Sequence, residues 1–454
     1  MANRNKIDQW SKLYWFYTLF VKLCYNYYYS KIQIVNKKKL DLKSPILLAP
    51  NHQNALMDAL GLIFGFNKQI VFLARADIFK KPIIIRILTF LKILPAYRSR
   101  DGRENLQKND EIFELTEKIL HNKINPLCIF PEGNHGNKRR LRQLVKGMFR
   151  IAFQAQEKYG KNKGVKIIPV GIDYGHYQKF RNTQLIIAGD PIEICDFWEE
   201  YLENQPVAIN NLRDKLSEEL KKIIIHIETE EYYDLYMGLR KIYSKKMCCK
   251  MGLKTNKLYN QFLADKKMID LLNSALIKEP QSIENLNQHF IEYTGLKEKL
   301  NYRDWVPAKH RYSISLTIAG LLASIILLPF AILGLFNNWP HFLIPPYKFR
   351  NLKDRQFLST AKWASGLFIF FIYFIILAIL ALIFIPFWWI KILYIATILP
   401  SGLIAIFYRK FIIKSFSRIR YTFQIFRKTK DTVRFEELYQ EIIKSADRII
   451  ESYS

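Results

Sequence analysis

Cysteine is scarce in this chain. Five residues, Cys24, Cys128, Cys195, Cys248 and Cys249, are spread through 454 positions. Their spacing fits neither a disulfide framework nor a metal site, and adjacent Cys248 and Cys249 read as ordinary thiols. A disulfide-built secreted module is therefore excluded, and the soluble part is expected to face a reducing compartment. Acidic residues are also few: 40 Asp and Glu stand against 69 Lys and Arg, for a net charge of +29. Such an excess calls for an anionic partner. Zinc-ligand spacing and an RNA-binding aromatic signature are both missing, so no nucleic acid is expected. Repeats and low-complexity tracts are absent. The first ten residues are polar and no small-residue cleavage site follows them, so no cleavable signal peptide is expected.

Hydrophobic residues make up 50% of the chain, enough for a sizeable core and for contact with lipid. Residues 1–30 read as an aromatic segment interrupted by Lys12, Lys22 and Asn26. An interfacial helix places the rings at headgroup level and lets the lysines snorkel; a helix packed on the domain is the alternative. Residues 31–200 alternate short β-rich runs with helical stretches. The runs are KIQIV (31–35), PILLAP (45–50), QIVFLA (69–74), KILPAY (92–97), LCIF (127–130), VKIIPVGI (165–172) and QLIIAG (184–189). Helices are expected over 54–65, 104–122 and 140–159. This alternation predicts an α/β fold with a central mixed sheet flanked by helices. Residues 201–312 carry apolar spacing near 3.6 and form a helical appendage.

Residues 313–408 are expected to be embedded in a membrane. Ser313–Phe336 has no charge, and Ala364–Tyr408 has one, Lys391. The second block is long enough for two spans, with a turn near Pro386. A basic amphipathic tail, 409–454, follows. Basic flanks at Lys309–Arg311, Lys348–Lys362 and Arg409–Lys430 would lie on the cytoplasmic side. That pattern predicts an integral protein of the cell membrane with its catalytic domain in the cytoplasm. It makes the second block a hairpin and breaks the first at Pro329 into a re-entrant or interfacial element; three complete crossings, with the Lys348–Lys362 loop outside, are the alternative.

Four constellations carry chemistry. APNHQNALMDAL (49–60) follows an apolar strand and opens a helix. His52 at a strand's end can take a proton near neutral pH, and Asp58 is the carboxylate nearby that could orient it. Six residues of regular helix would rotate the two about 240° apart, so they meet only if Gln53–Ala55 form a turn. A solvated loop histidine and an unrelated helix aspartate fit the same residues. ILPAYRSRDG (93–102) offers Arg98 and Arg100, whose guanidinium forks suit phosphate; Asp101 could equally balance them as surface charges. Arg75, after the strand QIVFLA, could join them. CIFPEGNHG (128–136) runs a strand into Glu132, Gly133, Asn134 and His135. Glu132 could hold the acceptor or brace the arginines. KIIPVGIDY (166–174) places Pro169 in a buried strand, as pocket lining or as structure.

The order of these motifs resembles that of the glycerol-phosphate acyltransferase superfamily, which includes lysophosphatidic acid acyltransferases. The resemblance covers residues 30–195. It implies an acyltransferase fold with His52 as base and Asp58 as its partner. It implies that Arg98, Glu132 and Gly133 belong to the acceptor-phosphate site and that Pro169 lies near the acyl-donor pocket. Two departures stand out. Five residues separate His52 from Asp58 where four are commonest, which resembles the glycerol-3-phosphate acyltransferase branch more. Glu132-Gly133-Asn134-His135 replaces the family's E-G-T-R, so Arg100, Arg139 or Arg140 could supply the missing cation.

The expected reaction moves a fatty acyl chain from acyl-CoA or acyl-carrier protein to a hydroxyl of glycerol-3-phosphate or lysophosphatidic acid in phospholipid biosynthesis. It needs no cofactor and no metal. The expected partners are membrane lipids, the donor thioester and the phosphorylated glycerol acceptor. Two other readings fit parts of the sequence: an amino-acid-derived lyso-lipid as acceptor, or a non-catalytic membrane-binding protein.

Overall fold

A computed structural model of the chain describes residues 7–40, 43–97, 103–134, 136, 138–308 and 314–453. Two compact units divide it: Met1–His226 with Leu352–Thr360, and Ile227–Asn351 with Ala361–Ser454.

The first unit is an α/β layer. Its elements run α1 (Lys12–Tyr28), β1 (Tyr29–Val35), β2 (Ile46–Pro50), α2 (Leu56–Phe66), β3 (Val71–Arg75), α3 (Pro82–Phe90), β4 (Ile93–Ala96), α4 (Arg103–Asn122), β5 (Leu127–Cys128), α5 (Gly147–Gln156), β6 (Lys166–Tyr174), β7 (Asn182–Ala188), β8 (Ile192–Glu193), α6 (Trp198–Glu203) and α7 (Gln205–Ile223). The sheet order is β1-β7-β6-β2-β5-β3-β4, with β8 on β6. Strands β2 to β6 are mutually parallel, while β7 and β8 run against β6. The sheet is therefore mixed. Leu47, Val71, Leu94, Leu127 and Ile167 pack with Phe149, Phe153 and Leu212 from α5 and α7 in one buried core. Near-continuous apolar runs are what a parallel sheet covered on its faces demands.

All seven β-rich runs form strands. LCIF is cut to Leu127–Cys128 because the chain turns at Phe130, where Gly133 N–H bonds the Phe130 carbonyl (3.2 Å). The expected helix over 140–159 begins only at Gly147. Backbone bonds hold 138–146 as a loop instead: Val145 N–H donates to Pro131 O (2.8 Å) and Leu141 N–H to His226 Nδ1 (2.9 Å). Helix α3 was not anticipated, because PIIIRILTF is too short a run to separate helix from strand by periodicity.

α1 buries Tyr14, Val21, Tyr25 and Tyr28 and exposes Trp10, Leu13, Phe16, Phe20 and Leu23 nearby or along its other face. Residues 352–360 pack on the same unit, with Ser359 Oγ donating to Tyr177 O (2.6 Å).

The second unit is helical: α8 (Tyr233–Ile242), α9 (Ser244–Lys250), α10 (Leu258–Lys278), α11 (Pro280–Lys299), α12 (Ile314–Lys348), α13 (mostly here, Leu358–Phe384), α14 (Trp388–Phe426) and α15 (Lys430–Tyr453). Among the described residues three helices are long and apolar enough to cross a membrane: Ile318–Lys348, Arg355–Phe384 and Trp388–Phe426. The chain turns at 385–387, around Pro386. The break expected at Pro329 does not occur, and α12 continues through it. Proline removes a single backbone bond there, and the apolar residues on both sides keep the rest of the helix paired.

Candidate active site

His52 lies two residues past the C-terminal end of β2. Asn51 fixes that exit. Its side-chain Oδ1 accepts from Ile172 N–H (2.7 Å) and its Nδ2 donates to Ile172 O (3.1 Å). The amide thus extends the β2–β6 ladder one step beyond the strand. Residues 51–55 then make the turn that the His–Asp spacing requires, and α2 starts at Leu56. The pair meets: His52 Nδ1 is 2.9 Å from Asp58 Oδ2.

Asp58 is fully buried in the first turn of α2, where the helix dipole favours a negative charge. Oδ2 also accepts from Gln53 N–H (2.9 Å) and Asn54 N–H (2.8 Å), and Oδ1 from the Tyr174 hydroxyl (2.7 Å). A carboxylate with four donors holds its neighbour's ring in one tautomer, with the proton on Nδ1. Nε2 is then the basic nitrogen. One face of the His52 ring stacks on Phe130, centroids 3.8 Å apart. The side chain keeps 12% of its surface open, enough for a substrate hydroxyl to approach.

Glu132 ties this loop to the next. Its Oε1 accepts from His52 N–H (2.8 Å) and Oε2 from Arg142 N–H (3.3 Å). Gly136 N–H returns a bond to His52 O (3.1 Å). Burial pushes the Glu132 carboxyl up to about 7, against the lowering effect of those two backbone donors. Gly133 sits at φ +62°, where a Cβ would also lie 3.0 Å from Val145. Cys128, in β5, is buried and its thiol pushed well up, so it is no thiolate at neutral pH.

Three comparisons bear on this arrangement. Residues 31–173 match the acyltransferase family model, a span that holds His52, Asp58 and Glu132. Residues 31–173 thus form an acyltransferase domain. Glycerol-3-phosphate O-acyltransferase 1 of Saccharomyces cerevisiae is 27% identical over 219 residues, which are 46% of this chain and 28% of that protein. The chain thus spans less than a third of that relative's length. The 1-acyl-sn-glycerophosphate (LPA) acyltransferase PlsC of Thermotoga maritima is 19% identical, with TM-score 0.34 over 49% of this chain and 82% of its own.

Within the acyltransferase domain the other candidate residues have diverse settings. Arg75 ends β3 and pairs its guanidinium with Asp77, Nε to Oδ1 at 3.2 Å. Pro169 is buried in mid-β6 opposite Ala49, with Gly189 N–H bonded to its carbonyl (2.8 Å). Asn134 is exposed. Arg98, Arg100 and His135 lie outside the described residues. Arg139 is buried, contacting Asp173 (3.2 Å) and the Tyr177 hydroxyl (3.0 Å). It braces the loop after β6. Glu132 braces the backbone of His52 and Arg142. Asn51, Phe130 and Tyr174 were not singled out from sequence. Asn51 had a signal, a polar amide directly after a buried strand; Tyr174 had only its place at the end of one.

Proposed function

We propose that the chain is an O-acyltransferase that uses His52 as general base to move a fatty acyl group from a thioester to a hydroxyl of a glycerol-phosphate acceptor. The observation that carries this reading is the His52–Asp58 bond at the C-terminal edge of the sheet, with Asp58 buried and fully hydrogen-bonded. Parallel strands deliver their following loops to one edge, where α/β sheets bind ligands. His52 Nε2 takes the acceptor's hydroxyl proton as the oxygen attacks the thioester carbonyl. The C–S bond breaks and the departing thiolate takes that proton back. Base catalysis of this kind supplies ~10²–10⁴-fold in rate. The donor is acyl-CoA or acyl-carrier protein, and Arg98 and Arg100 bind the acceptor phosphate. The exposed aromatic face of α1 and the three apolar helices keep the enzyme at its lipid substrate or product.

The test uses membranes holding the full chain, a labelled acyl donor, and three acceptors: glycerol-3-phosphate, lysophosphatidic acid and a lyso-aminolipid. Acylation of either glycerol phosphate is expected. His52→Ala should remove at least about 100-fold of the rate, and Asp58→Asn should lose most of it while keeping the geometry. Near wild-type turnover by His52→Ala overturns the mechanism, and acylation of the lyso-aminolipid alone overturns the acceptor.

A further inference from the structure

The hydrogen bonds of Asp58 do not stop at Tyr174. The Tyr174 oxygen accepts from Gln184 Nε2 (3.0 Å), and Gln184 Oε1 lies 2.8 Å from the Tyr25 hydroxyl. Tyr25 also sits 3.1 Å from the Met57 carbonyl, in the first turn of α2 beside Asp58. Tyr25, Gln184, Tyr174 and Asp58 are each fully buried. The row crosses four elements: α1, β7, β6 and α2.

Its polarity can be deduced. An ionised Asp58 only accepts, so Tyr174 donates to it. The Tyr174 oxygen then has lone pairs for an N–H, which turns the Gln184 amide nitrogen toward it. The amide oxygen must face Tyr25, whose single proton serves Gln184 and leans toward Met57 O. Tyr25, Gln184 and Tyr174 therefore each donate one step along the row toward the Asp58 carboxylate. Burial and the nearby Asp58 charge hold the Tyr174 phenol well above its usual range, so its proton stays in place.

Gly61, one turn along α2, leaves room for this row. A Cβ there would lie 2.5 Å from Gln184 Nε2 and 3.1 Å from the Tyr25 hydroxyl. Apolar residues would fill the same space at less cost, since a buried polar group is expensive unless every bond is made. The row is complete, and it ends on the one carboxylate that orients His52.

We propose that Tyr174, Gln184 and Tyr25 are positioning residues that hold Asp58, and through it the His52 tautomer, so that the seat of α1 sets the geometry of the base. This rests on the acyl-transfer reading above. None of the three touches substrate.

The experiment compares kcat and KM of the full chain in membranes. Tyr174→Phe keeps the ring and removes the donor to Asp58. It should lower kcat about ten- to hundredfold, as loss of a bond to a charged group does, with acceptor KM unchanged. Gln184→Met and Tyr25→Phe, one and two bonds further away, should each cost about two- to tenfold in kcat. In an Asp58→Asn background, Tyr174→Phe should cost nothing more, because its effect passes through Asp58. A merely structural role would lower the amount of folded enzyme and add its loss to that of Asp58→Asn. If Tyr174→Phe does not accumulate, Tyr25→Phe carries the test, with the same lack of additivity expected. Wild-type kcat in the variant, a loss confined to KM, or additive losses overturns the proposal. His52→Ala separates the two readings: its inactivity beside a fully active Tyr174→Phe sinks the positioning row and leaves the mechanism standing.

Discussion

Two residues beside His52 bear costs that the local geometry imposes. Ala55 sits at φ 45°, ψ −126° between Asn54 and Leu56. With Met57 N–H bonded to Asn54 O (3.0 Å), this is the second position of a turn that normally takes glycine. The strain is what brings Asp58 under His52 across five intervening residues. Ala55→Gly should relieve it and gain about 1 kcal/mol of stability, net of the added freedom of the unfolded chain. A denaturation midpoint in detergent measures this, and a lower midpoint would mean the buried Ala55 methyl matters more than the strain. Glu132 bears the other cost. Its carboxyl, raised from 4.5 to about 7 by burial, binds a proton more tightly folded than unfolded. Its contribution is full below pH 4.5 and is lost as pH rises toward 7, at up to about 1.4 kcal/mol per unit. Glu132→Gln should therefore flatten the fall in stability between pH 5 and 7.5. An unchanged slope in the variant would assign that fall to other groups.

Elements set what the acceptor site can be made of. β4 pairs parallel with β3, β3 with β5, and β5 with β2. The chain therefore leaves β4 at the same edge as His52, three strands or about 14 Å away. Arg98 follows Ala96, the last residue of β4, by two positions. The phosphate role proposed for Arg98 would therefore act on the acceptor rather than on the donor. Arg98→Ala should raise acceptor KM about 10- to 100-fold, the loss of a charge-assisted contact of ~1.5–3 kcal/mol. Equal damage to the donor's KM would refute the phosphate role. Strands, edge and the His52–Asp58 contact were legible because buried parallel strands are written as apolar runs and because the histidine and aspartate follow one of them in a single short motif. The turn at Ala55 was legible only as a requirement: nothing in QNA announces a positive φ. The polar row behind Asp58 left no trace, since Tyr25, Tyr174 and Gln184 lie up to 159 positions apart and meet only in three dimensions. The loop over 138–146 read as helix because its bonds run to distant Pro131 and His226 rather than along itself.

At the scale of the whole chain the two ends of the apolar stretch are tied together. α11 precedes it and α15 follows it. Arg434 in α15 grips Glu292 in α11 with two bonds of 2.8 Å, and Tyr293 stacks on Phe435 at 4.8 Å. α11 and α15 therefore lie on one side of any membrane, and the number of crossings between them is even. Three apolar helices cannot all be full crossings. The linker 352–360 belongs to the unit that carries His52, and no candidate span among the described residues separates that unit from α11. It should share the same side, as the basic flanks at 348–362 and 409–430 also require. Single cysteines at exposed Lys278, Lys353 and Lys444, placed in a chain stripped of its native thiols, test this in intact cells. All three should respond alike to an impermeant reagent, and all should be protected if the catalytic unit faces the cytoplasm. Three complete crossings would instead set Lys353 and Lys444 apart from Lys278, and that pattern would refute the pairing of α11 with α15 as a guide to topology.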